Sequence, residues 1–127
     1  MRKIILATFL LSSGTVQSAD GNFIYELCSA GNDNEIVAYI AGWVDKRGDD
    51  VINFNRAAEA PGAPNVQPMR FLKNAIGGNI CFPANVNAQQ LKDVLCQHLN
   101  NNPQHRHLSG ATLIWDAFNK AWPCKKS

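Results

Sequence analysis

The chain has 127 residues, of which 46% are hydrophobic and 17% are charged, with twelve Lys or Arg against ten Asp or Glu. These totals are typical of one globular domain and exclude a multi-domain enzyme or a disordered tail. All ten acidic residues lie at or beyond Asp20, whereas two of the twelve cations, Arg2 and Lys3, precede it. Without the first nineteen residues, ten cations balance ten anions, and this neutrality argues against nucleic acids and acidic membranes as partners.

The first nineteen residues have the order of features found in a secretory signal peptide. Residues 1–3 are a cationic start, residues 4–11 are mostly aliphatic, and residues 12–19 are mostly small or polar without an acid. The aliphatic run is less than half of the roughly 20 apolar residues that a membrane-spanning helix needs. A buried N-terminal helix is the alternative, but the flanks favour export to the periplasm.

The signal pattern leaves two cleavage points open. Cleavage after Ser18 would place Val16 at the −3 position, whereas cleavage after Ala19 would place Gln17 there, which is less usual. In both cases we expect a signal peptide of about nineteen residues and a single helical domain over residues 20–127.

Two helices are predicted at the start of the mature domain. Apolar residues between positions 23 and 27 predict a short first helix that ends near Gly31. Asn32 with Glu35 three residues later forms a capping signature for a second helix, because an apolar stripe at helical spacing follows. The stripe consists of Ile36, Tyr39, Ile40, Trp43 and Val44.

A long irregular loop is predicted between residues 46 and 78. This stretch contains four glycines and three prolines, and its only helical candidate runs from Pro68 to Ile76. Because long loops are uncommon inside a compact domain, we expect either a functional surface loop or a mobile one.

Two later helices follow this loop. Asn87 and Gln90 form a second capping signature, ahead of a stripe of Leu91, Val94, Leu95 and Leu99. Pro103 after Asn102 predicts the first position of a last helix, which Pro123 ends. The apolar face of that helix contains Leu108, Ala111, Trp115, Phe118 and Trp122. The tryptophans are expected to pack in the core or against a second subunit.

The four cysteines are an even set that can form two disulfides in an oxidising compartment. No Cys-x-x-Cys pair of the zinc or redox type is present. The sequence allows three pairings, of which we favour Cys28 with Cys96 and Cys81 with Cys124. The expected fold class is therefore all-α: a small helical bundle stapled by two disulfides, with the long irregular loop between the second helix and the later helices.

No catalytic or metal-binding constellation is evident. His98, His105 and His107 lie close together in sequence, but no acid or cysteine nearby completes a ligand set. A disulfide-bonded cysteine cannot act as a nucleophile, and the adjacent Asp49 and Asp50 are typical of a solvated turn. We expect no catalytic residue, no metal and no cofactor.

Several short motifs follow one another in the second half of the chain. In order they are Ile80-Cys81-Phe82-Pro83, Val86-Asn87, Gln90-Leu91, Leu99, Pro103, His107, Trp115, Ala117-Phe118 and Ala121-Trp122-Pro123-Cys124. This order resembles the Rap/Tai family of type VI secretion amidase immunity proteins, and Tyr39-Ile40-Ala41-Gly42 is similar to a helix motif of that family. The stretch from Lys46 to Gly78 matches none of the family motifs.

The resemblance implies a periplasmic protein that is not an enzyme. Members of that family are small helical proteins, usually homodimers, that bind and block a cognate peptidoglycan amidase effector. Inhibition would be occlusion of the amidase groove by a rigid protruding segment. No nucleic acid and, after signal cleavage, no membrane is expected as a partner. The alternative is a periplasmic helical chaperone or small-ligand carrier, which should contain an internal apolar cavity.

Two segments are candidates for the surface that binds the amidase. The turn at residues 100–106 is polar and lies between two helices; its candidate residues are Asn101, Gln104, His105 and Arg106. The long loop supplies Arg47, Asp49, Asp50 and Asn53. Ordinary helix termination and a variable solvated loop are the respective alternative interpretations.

Overall fold

The computed structural model describes residues 18–63 and 66–125. Within them the chain forms α1 (Gly21–Ala30), α2 (Asp33–Glu59), α3 (Val66–Ala75), α4 (Ala88–Asn101) and α5 (Gly110–Ala121), with a short 3-10 turn at Pro103–His105. The all-α fold class is confirmed. Most of the proposed signal peptide, residues 1–17, lies outside the described residues. In the described part of the chain, no helix is both long and apolar enough to cross a membrane.

The helix boundaries follow local side-chain chemistry. The Asp20 side chain accepts a hydrogen bond from the Phe23 backbone N–H at 2.9 Å and so caps α1. The same helix ends at Gly31, whose φ of 72° is left-handed and favours glycine. Asn87 and Gln90 bond each other's backbone N–H groups at the start of α4, so the predicted capping box is confirmed.

The expectation of a long loop starting at residue 46 is wrong for its first part, because α2 continues to Glu59. Half-buried Arg47, Val51 and Phe54 extend the helical periodicity of the preceding stripe. Gly48 lowers the stability of a helix interior by only about 1 kcal/mol relative to alanine, so one glycine does not end a helix whose half-buried side chains continue at helical spacing. The irregular structure is confined to the stretches that flank α3.

The predicted start of the last helix at Pro103 is also wrong. Pro103 begins only the 3-10 turn, and α5 begins at Gly110, where the Ser109 side chain accepts from the Thr112 N–H. The reason is tertiary: in the antiparallel bridge between Asp20 and Ser109, the Leu108 carbonyl accepts from the Gly21 N–H, so the first helical hydrogen bond of α5 is accepted by the next carbonyl, that of Ser109.

The core lies where α4 and α5 pack against each other and against α1 and α2. Its members are at most 2% exposed: Ile24, Ile36, Ile40, Ile80, Leu95, Leu99, Leu113, Ile114, Ala117 and Phe118. The Phe118 ring lies 5.8 Å from Trp43, 5.7 Å from Phe82 and 5.6 Å from Trp122, measured between ring centroids. This aromatic cluster joins α2 and the chain end to the core.

Both favoured disulfides are present. Cys28–Cys96 joins α1 to α4, and Cys81–Cys124 joins the segment after α3 to the chain end. They close loops of 68 and 43 residues, so each contributes about 4 kcal/mol in the chain-entropy treatment. This stabilisation is large relative to the total stability of a small domain.

One histidine is buried at the edge of this core. His98 on α4 is 8% exposed, and its Nε2 atom has no hydrogen-bond partner among the described residues. Burial lowers the pKa of His98 below its ordinary value, and the positive charge of Lys120 lowers it further. Asp116 acts in the opposite direction, and His105 adds a smaller lowering effect.

The lowered pKa of His98 predicts a pH-dependent stability. As the pH falls through about 6.5, His98 is protonated in the unfolded chain before it is protonated in the folded one. The free energy of unfolding therefore decreases below that pH, whereas above it the titration of His98 has no effect. In His98→Leu, the free energy of unfolding should change less between about pH 7.5 and pH 5.5. Denaturant unfolding at both pH values measures this change, with His107→Leu at an exposed position as the matched control. Equal pH dependence in the parent chain and His98→Leu would contradict the prediction.

Candidate functional site

Arg47 fastens α2 to the segment that follows α3. Its Nε–H donates to the Gly77 carbonyl oxygen at 2.8 Å, and its Nη2 group donates to the Ile80 carbonyl oxygen. The guanidinium carbon lies 5.2 Å from the ring centroid of Phe82. Burial lowers the pKa of Arg47 from its ordinary value. The side chain predicted to contact a partner is therefore engaged mainly with its own chain.

The same segment is attached to the end of the chain. Cys81 N–H donates to the Trp122 carbonyl at 2.8 Å, and Cys124 N–H donates to the Asn79 carbonyl at 2.9 Å. On α5, the Trp115 indole N–H donates to the Asn74 carbonyl at 3.0 Å. These bonds hold the C-terminal end of α3 in a defined position against α2 and α5.

A surface groove lies between these three helices, and we call it the Trp groove. It has a volume of about 450 Å³ and is lined by Trp43, Lys46, Arg47, Asp50, Ala75, Ile76, Ala111, Thr112 and Trp115. Lys46 and Asp50, one helical turn apart on α2, form an ion pair at its edge. The groove thus has aromatic and aliphatic walls with charged groups at the rim.

Two large apolar side chains on α3 stand next to the Trp groove, and we call them the α3 ridge. Phe71 is 75% exposed and Leu72 is 52% exposed. Phe71 lies one turn before Ala75, which lines the groove, so the apolar surface continues from one to the other. The described part of α3 contains Arg70 and Lys73 but no acidic residue. This side of the molecule therefore combines apolar and positive character.

The polar turn after α4 is partly used by the fold. The Arg106 Nε–H donates to the Leu99 carbonyl at 2.8 Å, and its guanidinium carbon lies 3.3 Å from the ring centroid of Tyr25. Arg106 thereby satisfies a carbonyl at the C-terminal end of α4. Asn101 and Gln104 are exposed, and His105 is half-buried. Of the four residues predicted to bind a partner here, Asn101 and Gln104 are therefore the most accessible.

The other predicted residues lie on a helix rather than in a loop. Asp49 and Asn53 are exposed and one turn apart on α2, so they share one face. Asp50 is half-buried beside Lys46. Among residues 18–63 and 66–125, no group of three His, Cys, Asp or Glu side chains is arranged to hold a metal ion.

A family model described as Rap1a immunity proteins matches residues 20–124. The chain belongs to this family. No curated protein and no solved structure matches it. The resemblance inferred from the motif order is therefore confirmed, and membership of the Rap1a family implies binding to a cognate effector protein.

For this Rap1a family member, the α3 ridge is the feature that the sequence did not reveal. Phe71 and Leu72 stand in a stretch interrupted by prolines, and a short apolar pair there is equally consistent with burial. Only the packing of α3 through its other face leaves them exposed. The available signal was the amphipathic spacing of Phe71, Leu72, Ala75 and Ile76, which predicts a helix but not the direction it faces.

We predict that Arg47→Ala destabilises the protein by about 2 kcal/mol, because two charge-assisted hydrogen bonds are lost. Amide hydrogen exchange should become faster in residues 69–80, since the link between α2 and this segment is broken. Urea unfolding and exchange mass spectrometry measure these effects. Arg56→Ala, at an exposed position on the same helix, is the matched control. Indistinguishable stability and exchange in the two variants would show that Arg47 does not hold this segment.

Proposed function

We propose that the chain protects its cell by binding a cognate peptidoglycan amidase effector in the periplasm and occluding the amidase active site. The observation that carries this proposal is the match to the Rap1a immunity proteins over residues 20–124. The amidase, its delivery by type VI secretion and the homodimeric state come from the motif resemblance. In this proposal the chain acts by binding and not as an enzyme.

The two disulfides support the periplasmic location. Disulfides form and persist in oxidising compartments and are rare in the reducing cytoplasm. Cys28–Cys96 and Cys81–Cys124 engage all four cysteines, so no cysteine is left free. The expected signal peptide would deliver the chain to such a compartment.

The α3 ridge with the Trp groove is the surface that we assign to the effector. Contiguous exposed apolar side chains beside a groove are typical of protein–protein interaction sites. Phe71 is a large aromatic side chain, the kind that dominates binding energy when a partner buries it. The groove next to it offers the indoles of Trp43 and Trp115 to an apolar side chain of the effector.

Rigidity makes this surface suitable for occlusion. The C-terminal end of α3 is fixed by the hydrogen bond from Trp115 to Asn74 and, through the next residues, by Arg47. A preorganised surface loses little conformational entropy on binding, so more of the interaction energy remains as affinity. In the complex, a fixed ridge at the mouth of the amidase groove would exclude the peptide substrate.

A periplasmic chaperone or ligand carrier receives no support from the packing. A carrier should enclose an apolar cavity, whereas the Trp groove is an open cleft at the surface. The central side chains Leu95 and Leu99 on α4 and Phe118 on α5 are fully buried in one hydrophobic core. The described core is filled by the chain itself.

The direct test is rescue of cells from the amidase encoded by a neighbouring reading frame. When the amidase is directed to the periplasm, the full chain should prevent lysis. A chain lacking residues 1–18 should not prevent lysis, because without a signal peptide it stays in the cytoplasm. Viable counts after induction measure protection. Lysis with every adjacent amidase candidate, despite an abundant folded chain in the periplasm, would reject the proposed partner.

The binding surface can be tested with the double variant Phe71→Ser plus Leu72→Ser. Its affinity for the amidase should fall at least about tenfold, because exposed apolar anchors that become buried carry much of the binding energy. Titration calorimetry measures the affinity, and light scattering measures the mass. Ile52→Ser, which removes an exposed apolar side chain from α2, is the matched control.

The alternative outcomes of this comparison are distinct. If Asn101→Ala plus Gln104→Ala weakens binding and the α3 variant does not, the turn after α4 is the recognition surface. If the α3 variant changes a dimeric mass to a monomeric one, the α3 ridge contacts a second copy instead. A monomeric mass for the unmodified chain would contradict the proposed homodimer.

A further inference from the structure

The residues at the proposed signal cleavage site are part of the folded domain. The Gly110 N–H donates to the Ala19 carbonyl oxygen at 2.9 Å, and the Gly21 N–H donates to the Leu108 carbonyl oxygen at 3.0 Å. These two bonds form the antiparallel bridge between Asp20 and Ser109. The backbone from Ala19 to Gly21 therefore determines where α5 begins.

Close packing makes this attachment specific. A side-chain carbon placed on Gly21 would lie 2.8 Å from the Arg106 carbonyl oxygen and 2.4 Å from a Leu113 methyl carbon. On the opposite strand, a carbon on Gly110 would lie 2.5 Å from the Tyr39 hydroxyl oxygen. At Gly21 the obstacle includes the Arg106 backbone, which cannot rotate away, so only glycine fits there without a shift of the chain; at Gly110 the obstacles are the side chains of Ile24 and Tyr39. Ala19 itself packs against the core.

The two cleavage points have different consequences for this bridge. A mature chain that begins at Ala19 keeps the carbonyl that accepts from Gly110, and both bridge hydrogen bonds survive. A chain that begins at Asp20 lacks this carbonyl, which leaves the N–H of buried Gly110 without its acceptor. It would also place the new α-amino charge directly before α1, where the helix dipole is already positive.

We infer that signal peptidase cleaves the bond between Ser18 and Ala19. Water adds across this amide: the hydroxyl joins the Ser18 carbonyl carbon to give a carboxylate, and the Ala19 nitrogen takes up protons to become the new α-ammonium. Val16 at −3 and Ser18 at −1 suit this position better than Gln17 and Ala19 suit the next one. The retained Ala19 then closes the bridge that positions the turn before α5.

This inference rests on the export step of the proposed function, and its test requires no effector. The full chain is expressed with export in a Gram-negative host, and the purified protein is analysed by intact mass and N-terminal sequencing. The expected first residues are Ala19-Asp20-Gly21. A chain that begins at Asp20, or one that retains Met1, would overturn the inference.

Two substitutions provide a crossed control, because cleavage needs small residues at −1 and −3 but not at −2. If cleavage follows Ser18, Ser18→Leu at −1 blocks or displaces it, and Gln17→Leu at −2 has no effect. If cleavage follows Ala19, the effects are reversed, because Gln17 is then at −3 and Ser18 at −2. The first pattern supports the inference, and the second contradicts it.

The contribution of the Ala19 carbonyl to stability is tested separately on two purified chains with both disulfides formed, one beginning at Ala19 and the other at Asp20. We expect the melting temperature of the shorter chain to be lower by roughly 4 °C or more, because it loses a buried hydrogen bond. Equal melting temperatures would show that the Ala19 carbonyl is dispensable and would remove the structural argument. Effector binding is measured independently on the longer chain, so a failure of the immunity proposal leaves the processing result interpretable.

Discussion

The Phe118 ring is the point at which the separate parts of the fold meet. It contacts Trp43 on α2, Phe82 in the segment after α3 and Trp122 near the end of the chain. The centroid of each of these rings lies within 5.8 Å of the Phe118 centroid. The contacts with Trp43 and Phe82 are edge-on and the contact with Trp122 is tilted, and such ring arrangements restrict both distance and orientation. Because these rings come from three distant parts of the sequence, the positions of α2, of the segment after α3 and of the chain end are coupled through this cluster.

The proposed binding surface is attached to that aromatic cluster through Arg47 and through the segment after α3. Arg47 lies over Phe82 and bonds the carbonyls on either side of the turn after α3, while the Cys81–Cys124 disulfide holds the same segment to the chain end. The apolar residues of α3 are thus presented by a scaffold rather than by a free loop. A small domain has few residues with which to make such a scaffold, and covalent links supplement its limited core.

The candidate site shows which sequence inferences are sound and which are not. The polar composition of residues 100–106 suggested a surface for a partner, and the side chains of Asn101 and Gln104 are exposed there. The same reasoning failed to separate them from Arg106 and Arg47, whose guanidinium groups bind backbone carbonyls of their own chain. A sequence does not show which charged side chain will find an acceptor within the fold, since those acceptors come from residues up to 33 positions away.

The sequence by itself determined the helical class, the capping of α4, the termination of α1 at Gly31 and the relationship to an immunity family. These depend on local spacing, local hydrogen bonds or the order of short motifs. The tertiary structure decided the length of α2, the start of α5, the partners of the two arginines and the exposure of Phe71 and Leu72. Each of these depends on contacts between residues far apart in the chain, where burial and long-range hydrogen bonding outweigh local preference.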